Sequence, residues 1–348
     1  MTKEKIKCGI IGATGYAGVE LVRILSTHPQ AEIVAVSSVS FEGQQLSDIY
    51  PNLRGICDMT LEGADEIIPR CDVIFGSLPH GLSEPFAEKC LSHCAVFIDL
   101  GADFRLHDEE DYSEWYGKHY EQPELHNEAV YAIPELYRDE IKGAEIIANP
   151  GCYPTSVALG LAPAIRGGYL EKGTVIVDSK SGVTGAGRSL TQGTHYPDTN
   201  EAFAAYKAGV HRHTPEIEQT LSEIAGEEMK VTFVPHLLPI NRGIESSIYV
   251  KLRDGVSFDE VYAAYAAAYE NELFVRVQPK GSYANLKNVR MSNYCDISLH
   301  FDKRTNMLIV SSCIDNMVKG AAGQAIQNMN LRFGLEESCG LDFVPPAF

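Results

Sequence analysis

Long apolar runs, closely spaced cysteine pairs and an excess of basic residues are all missing from this chain of 348 residues. No apolar run approaches the roughly 18 residues that span a bilayer, so we expect no membrane-spanning helix. Lys and Arg number 29 against 47 Asp and Glu, a formal net charge of −18, which disfavours partners such as nucleic acid or anionic lipid. A small anionic substrate is still allowed, because a local basic pocket can outweigh the global field.

The nine cysteines form no C-x-x-C pair and are odd in number. This usage predicts reduced thiols and a cytoplasmic protein rather than a disulfide framework. Cys90 and Cys94 flank His93, but one stretch offers no tetrahedral ligand set, so we interpret them as packing cysteines and expect no metal. The segment from Met1 to Lys7 is charged and leads into only a short apolar run, so we expect no signal peptide.

Neither internal repeats nor low-complexity segments occur, and the length predicts about two domains. In the first half, short apolar runs alternate with helical patterns, which indicates a parallel sheet covered by helices. The predicted strands are Ile6–Ile11, Glu32–Val36, Val73–Phe75, Val96–Ile98 and Ile146–Ala148, and the predicted helices are Tyr16–Leu25 and Pro85–Leu91.

The second half has a different residue pattern: several predicted strands alternate apolar and polar residues, as in a mixed or antiparallel sheet with one face in solvent. The predicted strands are Val175–Val177, Val231–Val234, Ser246–Leu252, Leu273–Val277, Cys295–Phe301 and Leu308–Ser312, and the predicted helices are Pro215–Ile224 and Phe258–Tyr269. A last amphipathic helix runs from Val318 to Met329, and we expect it to return to the first domain.

These patterns predict an α/β protein: a Rossmann-type doubly wound parallel sheet with a second α+β domain built on a mixed or antiparallel sheet. We expect the dinucleotide-binding domain to comprise residues 1–150 plus about 314–348. The catalytic, substrate-binding and oligomerisation domain is then 151–313.

A glycine-rich turn follows the first predicted strand and opens the first predicted helix. It comprises Gly12, Ala13, Thr14, Gly15, Tyr16, Ala17 and Gly18. Its G-x-x-G-x-x-G spacing permits a tight turn that brings a pyrophosphate close to N–H groups at a helix N-terminus, although a ligand-free turn can have the same pattern. The second strand ends in Ser37 and Ser38 without a carboxylate, which favours NADP over NAD, although no Arg is present there.

A second turn, Asn149-Pro150-Gly151-Cys152-Tyr153-Pro154-Thr155, follows a short strand and precedes the apolar run Val157–Leu161. This order predicts that Cys152 begins a helix, whose dipole favours the thiolate. Cys152 is therefore the candidate nucleophile. The alternative, a buried inert cysteine, is our interpretation for most of the other eight.

With these two turns the chain resembles the N-acetyl-γ-glutamyl-phosphate reductase family. Further matching segments are Asp103–Arg105, Ser179–Arg188, His211–Ile217, Pro235–Leu237 and Asn316–Ala325. The resemblance covers nearly the whole chain. It implies NADPH-dependent reduction of N-acetyl-L-glutamyl 5-phosphate to N-acetyl-L-glutamate 5-semialdehyde and phosphate, in arginine biosynthesis. The acyl group would be carried on Cys152 as a thioester.

The resemblance also favours roles for residues that the sequence alone leaves open. His213 is the expected acid–base group, with Glu216 orienting its ring, just before a helix expected to be capped by Thr214; without the resemblance, a surface His beside a cap would be the simpler interpretation. Gly182 and Gly185 lie in a turn expected to form an anion nest near the cofactor, and Asn316 is a candidate for holding the nicotinamide carboxamide. The candidate substrate-binding residues are Arg105, Lys180, Arg188, His211, Arg212 and Arg242.

Three other functions are considered. One is the reductase of lysine biosynthesis that acts on aminoadipyl phosphate attached to an acidic carrier protein, which the charge of −18 disfavours. Another is aspartate-semialdehyde dehydrogenase, but the segments Asn149–Thr155 and His211–Glu216 fit that enzyme less well. The third is a non-catalytic NADP-binding sensor, which would be free to lose Cys152.

The expected partners are a small-molecule acyl phosphate and further copies of the chain, as a dimer or tetramer.

Overall fold

The computed structural model describes residues 4–173 and 175–348. Contacts divide the chain into two compact units. Unit 1 comprises the chain up to Pro150 together with Ala321–Phe343, and unit 2 comprises Gly151–Gly320 together with Val344–Phe348. Residues 314–320 and 344–348 thus belong to unit 2, whereas the sequence pattern placed them with the first domain.

The β-strands and α-helices are numbered along the chain. The strands are β1 (Ile6–Ile11), β2 (Ala31–Ser37), β3 (Leu61–Glu62), β4 (Val73–Gly76), β5 (Val96–Asp99), β6 (Ala129–Tyr131), β7 (Ile146–Ala148), β8 (Val175–Gly182), β9 (Ala204–Ala205), β10 (Val231–Leu238), β11 (Ile244–Lys251), β12 (Val275–Val277), β13 (Cys295–Asp302) and β14 (Met307–Ile314). The helices are α1 (Tyr16–Leu25), α2 (Leu46–Ile49), α3 (Ala64–Ile67), α4 (Glu84–Ser92), α5 (Glu109–Tyr116), α6 (Pro123–Glu128), α7 (Pro134–Ile141), α8 (Cys152–Arg166), α9 (Tyr196–Thr199), α10 (Thr214–Ala225), α11 (Phe258–Tyr269) and α12 (Gly323–Arg332).

Unit 1 is built on a parallel sheet in the order β3-β2-β1-β4-β5-β7-β6. The direction of strand addition reverses between β1 and β4, which is where sheets of this type bind ligands beyond the carboxyl ends of their strands. The central strands are buried on both faces, as their continuous apolar sequences require. Helix α12 packs against α1 and α7 of the same unit.

Unit 2 contains a mixed sheet in the order β12-β13-β14-β11-β8-β10-β9. Strands β8, β11, β14 and β13 are antiparallel neighbours, while β10 runs parallel to β8. Helix α8 lies on β11 and β14 and is itself covered by α10 and α11. Thirteen of its 15 residues are buried, which makes it the central helix of this unit.

The predicted fold class is confirmed in both units. The predicted bounds of β1, α1, β7 and α11 match the observed ones. The last predicted helix is different, because a π turn over Val318–Ala322 precedes α12. Within the described ranges, no helix combines the length and apolarity needed to cross a bilayer.

Candidate functional site

The glycine turn of unit 1 is a shaped cradle between β1 and α1. Gly12 has a φ of +83°, and a Cβ at this position would overlap the carbonyl oxygen of Ser77. A Cβ at Gly18 would overlap the carbonyl of Gly12, so the first turn of α1 rests directly on the loop. Both glycines are therefore required by the close approach of backbone to backbone.

The same turn presents a helix N-terminus at the carboxyl edge of the sheet. Gly12 and Ala13 donate their N–H groups to the carbonyl of Ser37, which ties the turn to the end of β2. Gly15 is the N-cap residue, so the N–H groups of Tyr16, Ala17 and Gly18 occupy the first helical positions, where a helix supplies no internal acceptor. This arrangement fits the pyrophosphate of a dinucleotide.

The end of β2 carries hydroxyls that bond within the protein. Thr14 Oγ1 and Ser38 Oγ share a buried hydrogen bond of 2.8 Å, and Tyr50 donates to the Thr14 carbonyl at 2.9 Å. Ser37 and Ser38 are buried, whereas Ser40 is exposed. Between β2 and Glu42 the chain has no carboxylate, and the preference for a 2′-phosphate stays a prediction.

Cys152 is the first residue of α8, as predicted, with Gly151 as N-cap. We call residues 149–152 the nucleophile turn. The Gly151 N–H donates to Glu216 Oε1 at 2.7 Å, and the Gly151 carbonyl accepts from both the N–H and Oγ1 of Thr155 at 3.0 Å. A Cβ at Gly320 would lie 2.8 Å from Cys152 Cβ, so the π turn before α12 packs closely against Cys152. Cys152 is half-buried.

A cluster of rings surrounds Tyr153, the residue after the candidate nucleophile. The His211 and His213 rings meet the Tyr153 ring edge-on, with centroids at 5.5 and 5.8 Å, and their own centroids are 4.9 Å apart. The Tyr153 hydroxyl lies 3.2 Å from that of Tyr206. The structure thus brings both predicted histidines to the start of α8. Tyr206 was missed, because it lies in an irregular segment without a recognisable pattern.

The two histidines have different environments. Burial, aided by the charge of neighbouring His213, lowers the pKa of His211 to about 2. Its Nδ1 accepts a hydrogen bond from the His213 N–H at 3.1 Å, which places the proton of the neutral ring on Nε2. His211 is therefore a neutral hydrogen-bonding group at any working pH.

His213 is also the N-cap residue of α10, which corrects the prediction of Thr214 at that position. Thr214 and Pro215 are instead the first two helical residues. Glu216 lies in the same first turn and is 1% exposed. The contact described for its carboxylate is with Gly151, so Glu216 reaches the nucleophile turn directly. Its predicted orientation of the His213 ring stays a prediction.

The candidate cations occupy contrasting positions. Arg105 is buried and donates to backbone carbonyls of Asn149 and Leu100. Lys180 lies among Asp178, Glu245 and Ser247, with its Nζ within 3.4 Å of each side chain. Arg242 Nη1 is 3.6 Å from the fully buried Asp315.

The remaining two cations are more accessible. Arg188 is exposed in the loop after β8, and Arg212 is half-buried between the two histidines in sequence. An exposed or half-buried guanidinium remains accessible to a dissolved anion, so these two positions suit a substrate contact best.

The second glycine turn is held internally. Gly182, Val183 and Thr184 donate their N–H groups to carbonyls of Gly243, Ile240 and Asn241. The anion nest expected here is therefore wrong for these three groups. A Cβ at Gly182 would lie 2.7 Å from the Asn241 backbone, so packing explains this glycine.

Two further residues complete the hold on this turn. Asn316 accepts from the Gly243 N–H at 2.7 Å and donates to Thr184 Oγ1 at 3.0 Å, so its described contacts stabilise the turn. The missed residue here is Asp315, which accepts from the Met317 and Val318 N–H groups and begins the returning segment. The proposed cofactor contacts of Gly185 and Asn316 stay predictions.

In the part of the chain that the structure describes, no three metal-ligating side chains come together, and no cysteine is in a disulfide. Cys90 is buried among apolar side chains, and Cys94 is exposed.

Two family models match this chain. Residues 7–144 match the semialdehyde dehydrogenase NAD binding domain, and residues 152–316 match the semialdehyde dehydrogenase dimerisation domain. Together with the fold, they define the class as an oxidoreductase of the semialdehyde dehydrogenase type. The N-acetyl-gamma-glutamyl-phosphate reductases of Clostridium beijerinckii and Brachyspira hyodysenteriae are 55% and 56% identical to it, over 99% of this chain and 100% of each relative. The chain therefore belongs to the semialdehyde dehydrogenase family, and within it to the N-acetyl-gamma-glutamyl-phosphate reductases.

Solved structures share the fold at much lower identity. Aspartate semialdehyde dehydrogenase II of Vibrio cholerae, complexed with ASA, has a TM-score of 0.74 at 15% identity and covers 95% of this chain and 99% of its own. The Candida albicans enzyme with NADP has a TM-score of 0.70 at 17% identity, covering 94% of this chain and 98% of its own. These likenesses show the fold alone.

Proposed function

We propose that this protein reduces N-acetyl-L-glutamyl 5-phosphate to N-acetyl-L-glutamate 5-semialdehyde with NADPH, releasing phosphate, as in arginine biosynthesis. The observation that carries the proposal is Cys152 at the first position of the buried helix α8, where the next residue, Tyr153, contacts the rings of His211 and His213. The names of its full-length relatives specify the substrate. A helix N-terminus stabilises the thiolate that acyl transfer requires.

The chemistry follows from the nucleophile. The Cys152 thiolate attacks the acyl carbon, the bond from that carbon to the phosphate oxygen breaks, and phosphate leaves with the electron pair. When bound, reduced nicotinamide would supply a hydride to the thioester carbon, which would leave the former carbonyl oxygen as the oxyanion of a hemithioacetal. His213 then donates a proton as the carbon–sulfur bond breaks, so that the products are the aldehyde and the free thiol. Trapping the acyl group on sulfur protects it from hydrolysis before reduction.

The cofactor proposal rests on the glycine cradle and the end of β2. Gly12, Gly15, Gly18 and the N–H groups of Tyr16 and Ala17 would hold the pyrophosphate. Thr14, Ser37 and Ser38 carry no negative charge, so they would not repel the 2′-phosphate of NADP. The dimerisation-domain match supports a homodimer or homotetramer. Free thiols support a cytoplasmic setting.

The deciding assay runs in the oxidative direction, with N-acetylglutamate semialdehyde, phosphate and NADP⁺. We expect phosphate-dependent NADPH formation, and we expect Cys152→Ala to abolish it while NADPH binding, measured by fluorescence, is retained. Cys94→Ala is the matched control, since Cys94 is the exposed cysteine. Turnover only with the aminoadipate substrate on a carrier protein would favour the lysine-pathway alternative. NADPH binding without turnover of either substrate would favour the sensor.

A further inference from the structure

We infer that Asp103 is a positioning residue of the cofactor site, an inference that rests on the nicotinamide cofactor proposed above. Its carboxylate shapes the segment after β4, residues 77–83, into one wall of the dinucleotide crevice. We call this segment the β4 loop. Asp103, the β4 loop and the strands next to them all belong to unit 1.

The β4 loop lies beside the glycine cradle. Strands β1 and β4 are parallel neighbours, and the order of the sheet reverses between them. A ligand at this edge therefore lies between the segments that follow these two strands. The Ser77 N–H donates to the Ile11 carbonyl at 2.9 Å, and a Cβ at Gly15 would lie 3.8 Å from Ser77 Oγ. The cradle thus forms one side of the crevice, and the β4 loop forms the other.

A single carboxylate holds the far end of the β4 loop. Asp103 Oδ1 accepts from the Gly81 N–H at 2.6 Å, and its Oδ2 accepts from the Leu82 and Ser83 N–H groups at 2.9 Å. Asp103 is 1% exposed, and the Tyr112 hydroxyl donates a fourth hydrogen bond to Oδ1 at 2.8 Å. Hydrogen bonds to an ionised acceptor are stronger than neutral ones. Three consecutive peptide groups therefore have a fixed orientation before any ligand binds.

This geometry is that of an anion nest that contains an internal anion. Consecutive N–H groups that converge, with a φ of +81° at Gly81, form the kind of concave backbone that binds phosphate. Because Asp103 fills the concavity, these N–H groups are not available to the pyrophosphate, which is left to the glycine cradle. The loop instead presents apolar surface, since Leu82 is 49% exposed. Apolar surface suits a flat ring of the cofactor.

A second carboxyl supports the same loop from the neighbouring strand. Ser83 Oγ donates to Asp99 Oδ1 at 2.8 Å, and the same oxygen accepts from the Gly101 N–H at 2.9 Å. Asp99 is the last residue of β5, which pairs with β4, and Asp103 lies in the segment that follows. The end of β5 and the segment after it therefore hold the wall in place.

Asp103→Asn tests this role, because the amide keeps the size of the side chain but replaces one acceptor oxygen with an N–H donor. At least one of the three loop N–H groups then loses its acceptor. We expect faster deuterium exchange in the peptide that covers the β4 loop of the cofactor-free protein. We also expect the Kd for NADPH, measured by fluorescence, to rise about tenfold, as for a loop that keeps its binding shape for about a tenth of the time.

Gly81→Ala perturbs the same loop without changing the carboxylate, because a residue with a Cβ is strained at this positive φ. It should raise the Kd for NADPH as well. Two control variants should leave that Kd unchanged. Gly334→Ala places a Cβ at a φ of +66° just after α12, and Asp296→Asn removes a buried carboxylate from unit 2.

An unchanged Kd for NADPH in folded Asp103→Asn would overturn the inference. A raised phosphate KM beside that unchanged Kd would show that Asp103 supports the substrate site instead. If thermal unfolding shows that Asp103→Asn is not folded, Tyr112→Phe, which removes one bond to the carboxylate, and Gly81→Ala decide the question: an unchanged Kd in both overturns the inference. A wild-type protein that binds NADPH but does not turn over the semialdehyde would contradict the proposed substrate alone, because the Kd comparison needs no turnover.

Discussion

At the scale of single residues, position in the sequence is a poor guide to role when two similar side chains lie two residues apart. His211 and His213 both belong to the matched segment, and both rings contact Tyr153. The backbone bond from His213 to His211 Nδ1 and the lowered pKa separate them, because a ring held neutral cannot exchange a proton in the working range. His213 is left as the acid–base candidate.

This separation predicts different losses in two variants. His213→Asn should reduce kcat by ~100- to 10,000-fold, the usual contribution of general acid–base catalysis, and should remove one limb of the pH–rate profile. His211→Asn should keep that limb, because the pKa of His211 is lowered to about 2. The measurement is kcat/KM against pH in the oxidative direction for both variants and the wild type. A dead His211→Asn beside a nearly normal His213→Asn would reverse the assignment.

Arg105 and Asn316 show which features of a site residue the sequence alone does not predict. Arg105 and Asn316 were singled out by motif, but the motif does not show whether a side chain faces a ligand or the backbone. Arg105 donates to the Leu100 and Asn149 carbonyls. Asn316 accepts from the Gly243 N–H and donates to Thr184 Oγ1, and all of these partners except Leu100 are 44 or more residues away in the sequence. The chemistry of Cys152 was more accessible, because it depends on a local feature: the start of a helix.

At the scale of elements, a helix or strand could be predicted where its own residues carry a clear apolar pattern. Strands with continuous apolar sequences and helices with a clear 3.6-residue period were found with nearly correct bounds. The helices α5, α6 and α7 and strand β6 were missed because this region is polar and its elements are short. Its order depends on tertiary contacts such as Tyr112 to Asp103, whose carboxylate also accepts from the N–H groups of Gly81, Leu82 and Ser83 after β4.

The element after β2 makes the cofactor preference testable. Ser38 is a poor site for an added charge, since it is buried against Thr14, but Ser40 is exposed two residues on. Ser40→Asp should lower the ratio of kcat/KM for NADPH over NADH by about tenfold, through about 1.4 kcal/mol of repulsion with the 2′-phosphate. Ser92→Asp, at the exposed end of α4, is the control for added charge. A ratio that is unchanged in Ser40→Asp would mean that the 2′-phosphate lies elsewhere.

At the scale of the whole molecule, one buried carboxyl makes stability depend on pH. Burial, with a smaller contribution from Asp103, raises the pKa of Asp99 to about 7. In the unfolded chain this group loses its proton near pH 4, so the folded state binds more protons between about pH 4 and 7. The free energy of unfolding contributed by Asp99 therefore falls as the pH rises through this window.

Replacing Asp99 removes this dependence. Asp99→Asn should gain stability relative to the wild type on going from pH 5 to pH 8, as measured by urea unfolding at both values. Asp139→Asn is the control: that carboxylate is exposed and its pKa is lowered by Lys142, so it should show no gain at high pH. An equal change in stability at both pH values for Asp99→Asn would show that Asp99 is already ionised in the fold at pH 5.

The path of the chain has a consequence for synthesis. Domains made on the ribosome tend to fold from the N-terminus, yet unit 1 lacks α12 until nearly all of unit 2 has been translated. Until then, the surfaces of α1 and α7 that α12 covers stay open, and so does Cys8 of β1, whose sulfur lies 3.7 Å from that of Met329. A nascent chain stalled before Ala321 would therefore expose an apolar face for a chaperone to cover. Unit 2 lacks only its five-residue tail at that point, so most of it is available before unit 1 gains α12.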